Sequence, residues 1–394
     1  MSDTKIVVET IVVGGGLAGT AAAVCLAQFG LQVLHLAPKA PVDHRTSALM
    51  VPSVDILTSF GLISQPSTHG TPLTKIRIID ATDRLLRAPE TLFDSAEIGV
   101  ECFGWNFTNQ GLLEMFDAKA STLPNYRRVD ASFIRATFED DDYLVETSTG
   151  ETIACKLLVG ADGKKSSVRE AAKIGVRETK FAQSALVCDL ALEKPIEDTS
   201  VEFHYAHGPF TLVPAGATRT NLVWIDNSEI LEAARAGGTD ALVAEFEKRS
   251  MHLFGKVKLE TPTFVFPLST LTADAAGKNA IVLVGEAAHA FPPIGAQGLN
   301  LSLRDVAGLI EALGATERTN PGWASVVSEN YANQREGDLK RTASMVDMLF
   351  KSLLADFLPS QALRSGGLWA LKTFPSIRKQ AFAIGMGARQ NDRS

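Results

Sequence analysis

The residues best suited to chemistry lie between positions 280 and 309, where one histidine precedes a loop rich in proline and glycine. His289 is the side chain in this stretch that could donate or accept a proton near neutral pH. Proline fixes the backbone, whereas glycine lets the main chain approach a bound molecule closely. The sequence therefore predicts a loop of fixed shape that contacts a ligand. The loop residues concerned are Pro292, Pro293, Gly295 and Gly298.

A strand and a helix must hold this loop in place. Residues 280–284 form a short apolar run, which is typical of a strand in the middle of a parallel sheet. A helix is predicted from about Leu299. Its first turn would direct free N–H groups and the positive end of the helix dipole at whatever the loop holds.

A second glycine-rich turn lies near the start of the chain. Residues 10–30 read as a strand, a turn and an Ala-rich helix, and they contain G-x-G-x-x-G as Gly14, Gly16 and Gly19. Such glycines allow a tight turn, the approach of a pyrophosphate and close packing of the helix on the strand. The turn, including Leu17 and Ala18, is predicted to bind a dinucleotide. A glycine-rich turn without a ligand is the alternative.

The adenosine end of this predicted site lacks an expected group. The second strand, residues 31–36, should be followed by an acidic residue that bonds the ribose hydroxyls, but Ala37 stands there. Asp43, six residues later in a loop, is an alternative carboxylate. We therefore expect the ribose to be held weakly or differently at Ala37.

Residues 285–305 resemble the third flavin motif of the group A FAD-dependent aromatic hydroxylases, and particularly its version in the UbiH/UbiF-type ubiquinone-biosynthesis hydroxylases. The motif is G-D-A-A-H-x-x-P-P-x-x-G-Q-G-x-N-x-x-x-x-D. Glu286 and Ala296 depart from it. It is matched at Gly285, Ala287, Ala288, His289, Pro292, Pro293, Gln297, Gly298, Asn300 and Asp305. The resemblance implies that FAD contacts Gly285, Glu286, Pro292, Gly295, Ala296, Gln297, Gly298, Leu299 and Asn300.

Three further segments are similar to the same family. The stretch 43–49 resembles D-x-R-x-x-A-L, which implies that Arg45 lies near the cofactor phosphates; an Arg on a solvated loop is the alternative. Residues 157–174 resemble the second motif, which implies that Asp162 and Gly163 lie near the FAD ribose and the passing nicotinamide. An Asp that caps a helix is compatible with that role. Gln110, at a predicted helix start, is a further cofactor candidate, or simply a polar residue there.

The middle of the chain, residues 181–266, consists of short alternating runs with turn residues between them, which predicts an antiparallel sheet. Its aromatic and apolar side chains are candidates for one wall of a substrate pocket, although core packing is the alternative for each of them. The predicted substrate-binding residues are Phe210, Leu212, Trp224 and Phe266 of this sheet, and Pro293 of the loop.

The predicted fold class is α/β: a doubly wound FAD-binding (Rossmann-like) domain, an antiparallel β-sheet substrate domain and a C-terminal helical tail. It resembles the fold of p-hydroxybenzoate hydroxylase. The FAD-binding domain is predicted to comprise residues 1–74, 104–180 and 270–325, and the substrate domain residues 75–103 and 181–269. Residues 326–394 are predicted to form the helical tail. Six Lys or Arg and one Asp lie in 359–394, so this end could contact an anionic membrane or a complex, or pack on its own domain.

Composition narrows the class of protein further. The formal net charge of −7 argues against a general nucleic-acid binder. The four cysteines are scattered without a C-x-x-C pair, so we expect reduced core residues and no metal. We see no signal peptide and no apolar run of membrane-spanning length, so we expect a cytoplasmic protein, with peripheral contact to the inner membrane as an option.

The resemblance implies an enzyme: an FAD-dependent monooxygenase that uses NADPH or NADH as a transient reductant, and O2, to hydroxylate an aromatic ring. A polyprenylated phenol of ubiquinone biosynthesis is the expected substrate. Another aromatic or an isoprenoid substrate remains open. A non-catalytic or weakly FAD-binding assembly subunit is a further alternative, because Ala37 and Glu286 depart from the family. For His289 the resemblance favours a structural role.

Overall fold

In a computed structural model of the protein, the structure describes residues 6–82, 87–293 and 295–354. Its strands are β1 Ile6–Val13, β2 Val33–Leu36, β3 Thr46–Met50, β4 Gly70–Leu73, β5 Lys75–Asp80, β6 Thr91–Asp94, β7 Gly104–Thr108, β8 Tyr126–Val129, β9 Phe133–Glu139, β10 Asp142–Thr147, β11 Thr152–Gly160, β12 Val176–Leu192, β13 Thr199–Tyr205, β14 Gly208–Pro214, β15 Arg219–Asn227, β16 Val257–Leu259, β17 Phe264–Ala273, β18 Gly277–Lys278, β19 Ile281–Leu283 and β20 His289–Ala290. Its helices are α1 Leu17–Gln28, α2 Val51–Ser59, α3 Pro66–His69, α4 Asn109–Ala120, α5 Ser167–Ala171, α6 Ser228–Ala236, α7 Thr239–Arg249, α8 Gln297–Gly314 and α9 Trp323–Leu354, with short 3-10 turns at Ser95–Ile98 and Gly285–Ala287.

The first sheet has the order β18-β19-β11-β1-β2-β8, and β10 and β9 extend it from β11. β1 pairs in parallel with β2 and β11, and β11 pairs in parallel with β19. Apolar runs on central strands are buried on both faces, as at Ile11, Leu158 and Val282. The carboxyl ends of these strands meet at one edge of the sheet, where ligands bind in open α/β sheets.

The second sheet has the order β20-β17-β12-β15-β14-β13-β5-β6, with β16 on β12. It is largely antiparallel, as predicted, but β13 and β5 pair in parallel. Helices α6 and α7 cover one of its faces and enclose a second hydrophobic core there. A small third sheet, β3-β7-β4, is formed by strands that lie between residues 46 and 108 of the chain.

One local expectation needs correction. The alternation of polar and apolar residues in 128–146 predicts a single hairpin, but the hairpin in the structure is β9 with β10. Arg128 instead lies on β8, which pairs in parallel with β2 and places Arg128 opposite His35. The alternation of polar and apolar residues is the same for both kinds of strand, so it could not separate them.

The predicted α/β fold class is confirmed: a Rossmann-like parallel sheet, a sheet-rich second part and a helical end are all present. The domain boundaries stay a prediction. The basic segment 359–394 lies outside the described residues. Among the helices that the structure describes, none has the length and apolar character needed to cross a membrane.

Candidate functional site

The glycine-rich turn after β1 has the geometry of a phosphate-binding turn. Gly14 has φ +122°, and a side chain there would collide with the carbonyl oxygen of Ala161. A side chain at Gly19 would collide with the carbonyl oxygen of Gly14, so α1 packs tightly on the turn. At Gly16 a Cβ would meet nothing within 4 Å. Open space thus remains at the start of α1, where Leu17 and Ala18 begin the helix, and an anion fits there.

His35 forms a hydrogen bond to this turn, a contact that the sequence analysis missed. Its Nε2 lies 2.8 Å from the Gly14 carbonyl oxygen and its Nδ1 lies 2.8 Å from the Tyr126 hydroxyl. Because a carbonyl only accepts, Nε2 must carry the hydrogen and Nδ1 accepts from Tyr126. Burial lowers the pKa of His35 to about 4, so the ring is neutral. The signal that could have indicated this contact was the presence of a polar residue, His35, within the otherwise apolar strand β2.

Ala37 lies where the ribose carboxylate was expected, and it is 2% exposed. A Cβ placed on Gly15 would lie 3.1 Å from the Ala37 Cβ and 3.6 Å from Nη2 of Arg128. Arg128 Nη1 donates to both carboxylate oxygens of Asp117, at 3.1 and 3.2 Å. A guanidinium therefore lies beside the turn at the adenosine end, where many dinucleotide sites have an acid.

Arg45 and Asp43 form a bidentate ion pair. Arg45 donates from Nε and Nη2 to the two oxygens of Asp43, each at 2.8 Å, and Asn109 Nδ2 donates to Asp43 Oδ2 at 2.8 Å. Burial raises the pKa of Asp43, but the bonds from Arg45 and Asn109 outweigh it and hold this pKa below its usual value. The carboxylate of Asp43 is therefore engaged and does not replace the acid missing at Ala37.

The second motif caps a helix and touches the first. Asp162 accepts from Ser166 Oγ at 2.5 Å and from the Val168 N–H at 3.2 Å, at the start of α5. Its backbone N–H lies next to Gly14, and Gly163 follows with φ +84°. Asp162 thus caps α5 and also lies beside the glycine-rich turn. Gln110 lies in the first turn of α4 and donates to Glu114 on the same helix at 2.9 Å.

The third motif contacts both the glycine-rich turn and the second motif. Gly285 has φ +62°, and a Cβ there would lie 3.1 Å from the Ala18 Cβ, at the start of α1. Arg169 of the second motif is buried and donates from Nη1 to the Ala287 carbonyl oxygen at 2.8 Å. Asp43 raises the pKa of Arg45, and the charge of the exposed Glu286 adds to this effect. The structure therefore brings residues from three distant segments to one edge of the first sheet.

The loop after β20 leads directly into α8, which begins at Gln297, two residues before the predicted start. Asn300 fixes this entry, because its Nδ2 donates to the Ala48 and Ala296 carbonyl oxygens at 2.9 and 2.5 Å and its Oδ1 accepts from the Met50 N–H at 2.8 Å. Pro292, Gln297 and Asn300 are buried, Leu299 is half-buried, and Pro293, Gly295 and Gly298 are exposed.

Behind the loop lies a buried group of charges. Asp305 accepts from the Gly285 N–H at 2.9 Å, from His289 Nε2 at 2.6 Å and from Arg335 Nε at 2.9 Å. Burial raises the pKa of Asp305, but His289 and Arg335 outweigh burial and lower it. His289 is 2% exposed and is engaged with Asp305, which fits the expected structural role.

Three of the predicted substrate residues lie in a core. Phe210, Leu212 and Trp224 are 0–1% exposed and pack with Phe246 of α7 in the second core. The rings of Trp224 and Phe246 meet edge to face at 6.2 Å. These three side chains therefore lie in the core, which was the alternative to a place in the substrate pocket. Phe266 differs, since it is 41% exposed on the opposite face of the same sheet.

Comparison with known proteins agrees with this geometry. The FAD binding domain family model matches residues 7–344. The chain is 29% identical to the ubiquinone hydroxylase UbiL of Rhodospirillum rubrum over 97% of this chain and 90% of that protein. It is also 29% identical to the 3-demethoxyubiquinol 3-hydroxylase of Escherichia coli, over 96% and 98% of the two chains.

Solved structures show the same fold. The p-nitrophenol 4-monooxygenase PnpA of Pseudomonas putida superposes with a TM-score of 0.80 at 17% identity, over 98% of this chain and 100% of that chain. Klebsiella pneumoniae HpxO, solved with FAD and uric acid, gives 0.77 at 16% identity over 96% of each chain. The open turn at Gly16 and the joined motifs fit an FAD. The chain therefore belongs to the FAD binding domain family and is an FAD-dependent monooxygenase of the aromatic-hydroxylase type.

Proposed function

We propose that this enzyme hydroxylates the ring of a polyprenylated phenol in ubiquinone biosynthesis, with NADPH or NADH as reductant and O2 as co-substrate. The names of the two curated relatives support this substrate class. The observation that carries the proposal is an open apolar face of the second sheet, next to the cofactor motifs.

The open face is the part of the sheet opposite the second core that lies beside a small buried cluster of Ala185, Ile225 and Leu268. Val223 pairs with Val187 on one side and with Thr211 on the other, and all three are half-buried. Val187 in turn pairs with Phe264, which is 44% exposed and stacks with Phe266 at 6.4 Å. Such a surface would bind an aromatic ring and an isoprenoid chain and would exclude water from them.

Two contacts join this face to the cofactor motifs. The guanidinium carbon of Arg45 lies 5.9 Å from the centre of the Phe266 ring. Thr46, the next residue, donates to Asn221 Oδ1 on β15 at 2.8 Å. The substrate face therefore adjoins the segment that is expected to hold the cofactor phosphates.

The residues of the first sheet would hold FAD, and FAD when bound supplies the activation of O2. The open start of α1 at Gly16 would receive the pyrophosphate, and the start of α8 at Gly298 would favour negative charge on the flavin ring. Pro293, exposed in the loop before α8, is a proposed contact of the substrate.

A carboxylate at the polar end of the open face would orient the phenol. Asp189 is half-buried, and its Oδ1 accepts from Asn221 Nδ2 at 2.5 Å. Burial raises the pKa of Asp189 above its ordinary value. We propose that the phenol hydroxyl donates to this carboxylate, which would make the ring more electron-rich for hydroxylation.

The first experiment is the visible spectrum of the protein purified without added cofactor, followed by anaerobic NADPH or NADH reduction with and without a phenolic lipid. Flavin absorption that bleaches faster with the phenol, and a hydroxylated product formed in air, are expected. A protein that takes up no FAD would favour the assembly-subunit alternative. FAD reduction that no phenol accelerates, with product from another aromatic or from an isoprenoid, would favour the other substrate classes.

Substitutions then test the open face itself. Phe264→Ala and Phe266→Ala are expected to raise the KM for the prenylated phenol about tenfold, because each removes a large apolar contact. Phe138→Ala is the matched control, since Phe138 is 49% exposed on the first sheet. An equal effect of all three variants would contradict the assignment of this face.

The peripheral membrane or complex contact of the basic segment 359–394 is part of the proposal and rests on its charge alone. Cosedimentation with vesicles of anionic lipid, compared with neutral lipid, tests it. Equal recovery from both kinds of vesicle would contradict membrane contact through charge.

A further inference from the structure

The adenosine end of the cofactor site carries a cation where an acid is expected. In dinucleotide folds a carboxylate at the end of the second strand accepts hydrogen bonds from the ribose hydroxyls. Ala37 has no such group, and Asp43 is held by Arg45 and Asn109. The ribose therefore needs another partner at this edge of the sheet.

Arg128 is placed to be that partner. It lies on β8, the neighbour of β2, and Nη2 comes within 3.6 Å of the position that a Cβ on Gly15 would take. Gly15 is the middle glycine of the turn that ends at Gly16, where the open space for the pyrophosphate begins. The side chain of Arg128 is 37% exposed, so a ligand can reach it.

Asp117 fixes the direction of this guanidinium. Both of its oxygens accept from Nη1, which holds one side of the fork on α4 and leaves Nη2 directed to the turn. Among the hydrogen bonds of the described residues, none uses Nη2 of Arg128. A planar guanidinium held on one side presents its other donors in a defined direction.

We propose that Arg128, oriented by Asp117, binds the adenosine ribose of FAD in place of the carboxylate that is missing at Ala37. Its Nη2 donates to a ribose hydroxyl oxygen, whereas a carboxylate would accept from that hydroxyl. The polarity of the contact is thus reversed. This assignment concerns the adenosine half of the cofactor and does not depend on which phenol is the substrate.

Ligand affinities measured on the apoprotein separate the two halves of the cofactor. Fluorescence titration with FAD, competition by ADP, and titration with FMN are compared for the wild type and Arg128→Met. We expect the Kd of FAD and of ADP to rise about tenfold and that of FMN, which lacks adenosine, to stay within twofold. Unchanged FAD and ADP affinities, or an equal loss for FMN, would overturn the proposal.

Two further variants guard against a folding defect. Arg127→Met is the matched control, because Arg127 is the preceding residue of β8 and its side chain points to the other face of the strand. Its FAD affinity should equal that of the wild type. Arg128→Lys keeps the charge but loses the fork, so its FAD affinity should fall between those of wild type and Arg128→Met. A lysine variant that binds FAD as tightly as the wild type would show that the fork is not needed. Arg127→Met as weak as Arg128→Met would contradict it.

A restored carboxylate gives a second, independent test. Ala37→Glu alone should add little FAD affinity, because the new carboxylate would lie beside the guanidinium of Arg128 and pair with it. In the Arg128→Met background the same change should recover most of the lost affinity for FAD and ADP. A clear gain in the wild-type background, with no recovery in the double variant, would show that the ribose is not held by Arg128.

Discussion

The Asp305 carboxylate lies 2.6 Å from His289 Nε2 and also accepts the Gly285 N–H, so one buried acid fixes both ends of the turn that carries Glu286. Arg335 of α9, 1% exposed, bonds the other oxygen of Asp305. The cofactor loop and the long helix α9 are therefore tied to one carboxylate. The motif Asp and His act here as supports of the backbone.

Removal of that carboxylate should be costly. Asp305→Ala leaves buried donors of Arg335, His289 and Gly285 without their shared acceptor. Arg335 keeps its ion pair with Asp338, so we expect the free energy of unfolding to fall by about 3 kcal/mol, with loss of bound FAD. Denaturant unfolding and flavin content measure the two effects. Glu336→Gln, which removes an exposed ion pair with Lys340 on α9, is the control and should change neither quantity. Equal effects of both variants would contradict a special role for the buried carboxylate.

His35 should make the stability of the protein depend on pH. Its pKa is lowered from 6.5 to about 4 in the folded chain, so between these values the unfolded chain binds a proton that the folded chain does not. The contribution of neutral His35 is complete above pH 6.5 and is lost as the pH falls towards 4, at about 3 kcal/mol in all.

His35→Gln should flatten this part of the stability curve, measured by denaturant unfolding at several pH values. Tyr126→Phe, which removes the hydroxyl bonded to Nδ1 but keeps the imidazole, is the companion variant and should keep the pH dependence. If the slope between pH 4 and 6.5 persists in His35→Gln, another group must be responsible.

Ala296 carries backbone strain at the entry to α8. Its φ is +54°, in the left-handed region that favours glycine, and the related motif has Gly there. Ala296→Gly should raise the free energy of unfolding by about 0.5–1 kcal/mol, because relief of strain exceeds the entropy that glycine loses. Ala315→Gly at the other end of α8, where φ is −85°, should instead destabilise the protein. The same sign for both variants would exclude strain as the cause.

Gly298 tests the placement of the cofactor loop. A Cβ at this exposed residue would meet nothing within 4 Å, so Gly298→Leu should leave the free energy of unfolding of the apoprotein nearly unchanged. If the flavin lies against this residue, bound FAD should be lost. Flavin absorbance and apoprotein unfolding are compared with Gly337→Leu, at an exposed glycine of α9 where an added Cβ also meets nothing within 4 Å. Full FAD occupancy in Gly298→Leu would show that the loop was misplaced.

The sequence by itself determined the three motifs from which the cofactor site is inferred. Gly14 and Gly19 are glycines because any side chain collides with the neighbouring backbone, and this requirement is local enough to appear as fixed spacing. The side chain of Asp162 likewise bonds residues of its own segment, and Asn300 bonds Ala296 four residues earlier. Such local constraints made the three motifs recognisable before any contact between them was known.

Only the tertiary structure decided which groups meet. The sequence made Phe210 and Trp224 candidates for a pocket wall, with core packing as the alternative. A sheet has two faces, and only the packing of α7 shows that theirs is the closed core. Likewise no spacing links Arg128 to Gly15, because β8 reaches the turn through sheet pairing across more than a hundred residues of chain. The sequence specifies where the backbone requires glycine or a helix cap. Which face of the sheet stays open, and which cation reaches the adenosine end, depend instead on how the strands and helices pack together.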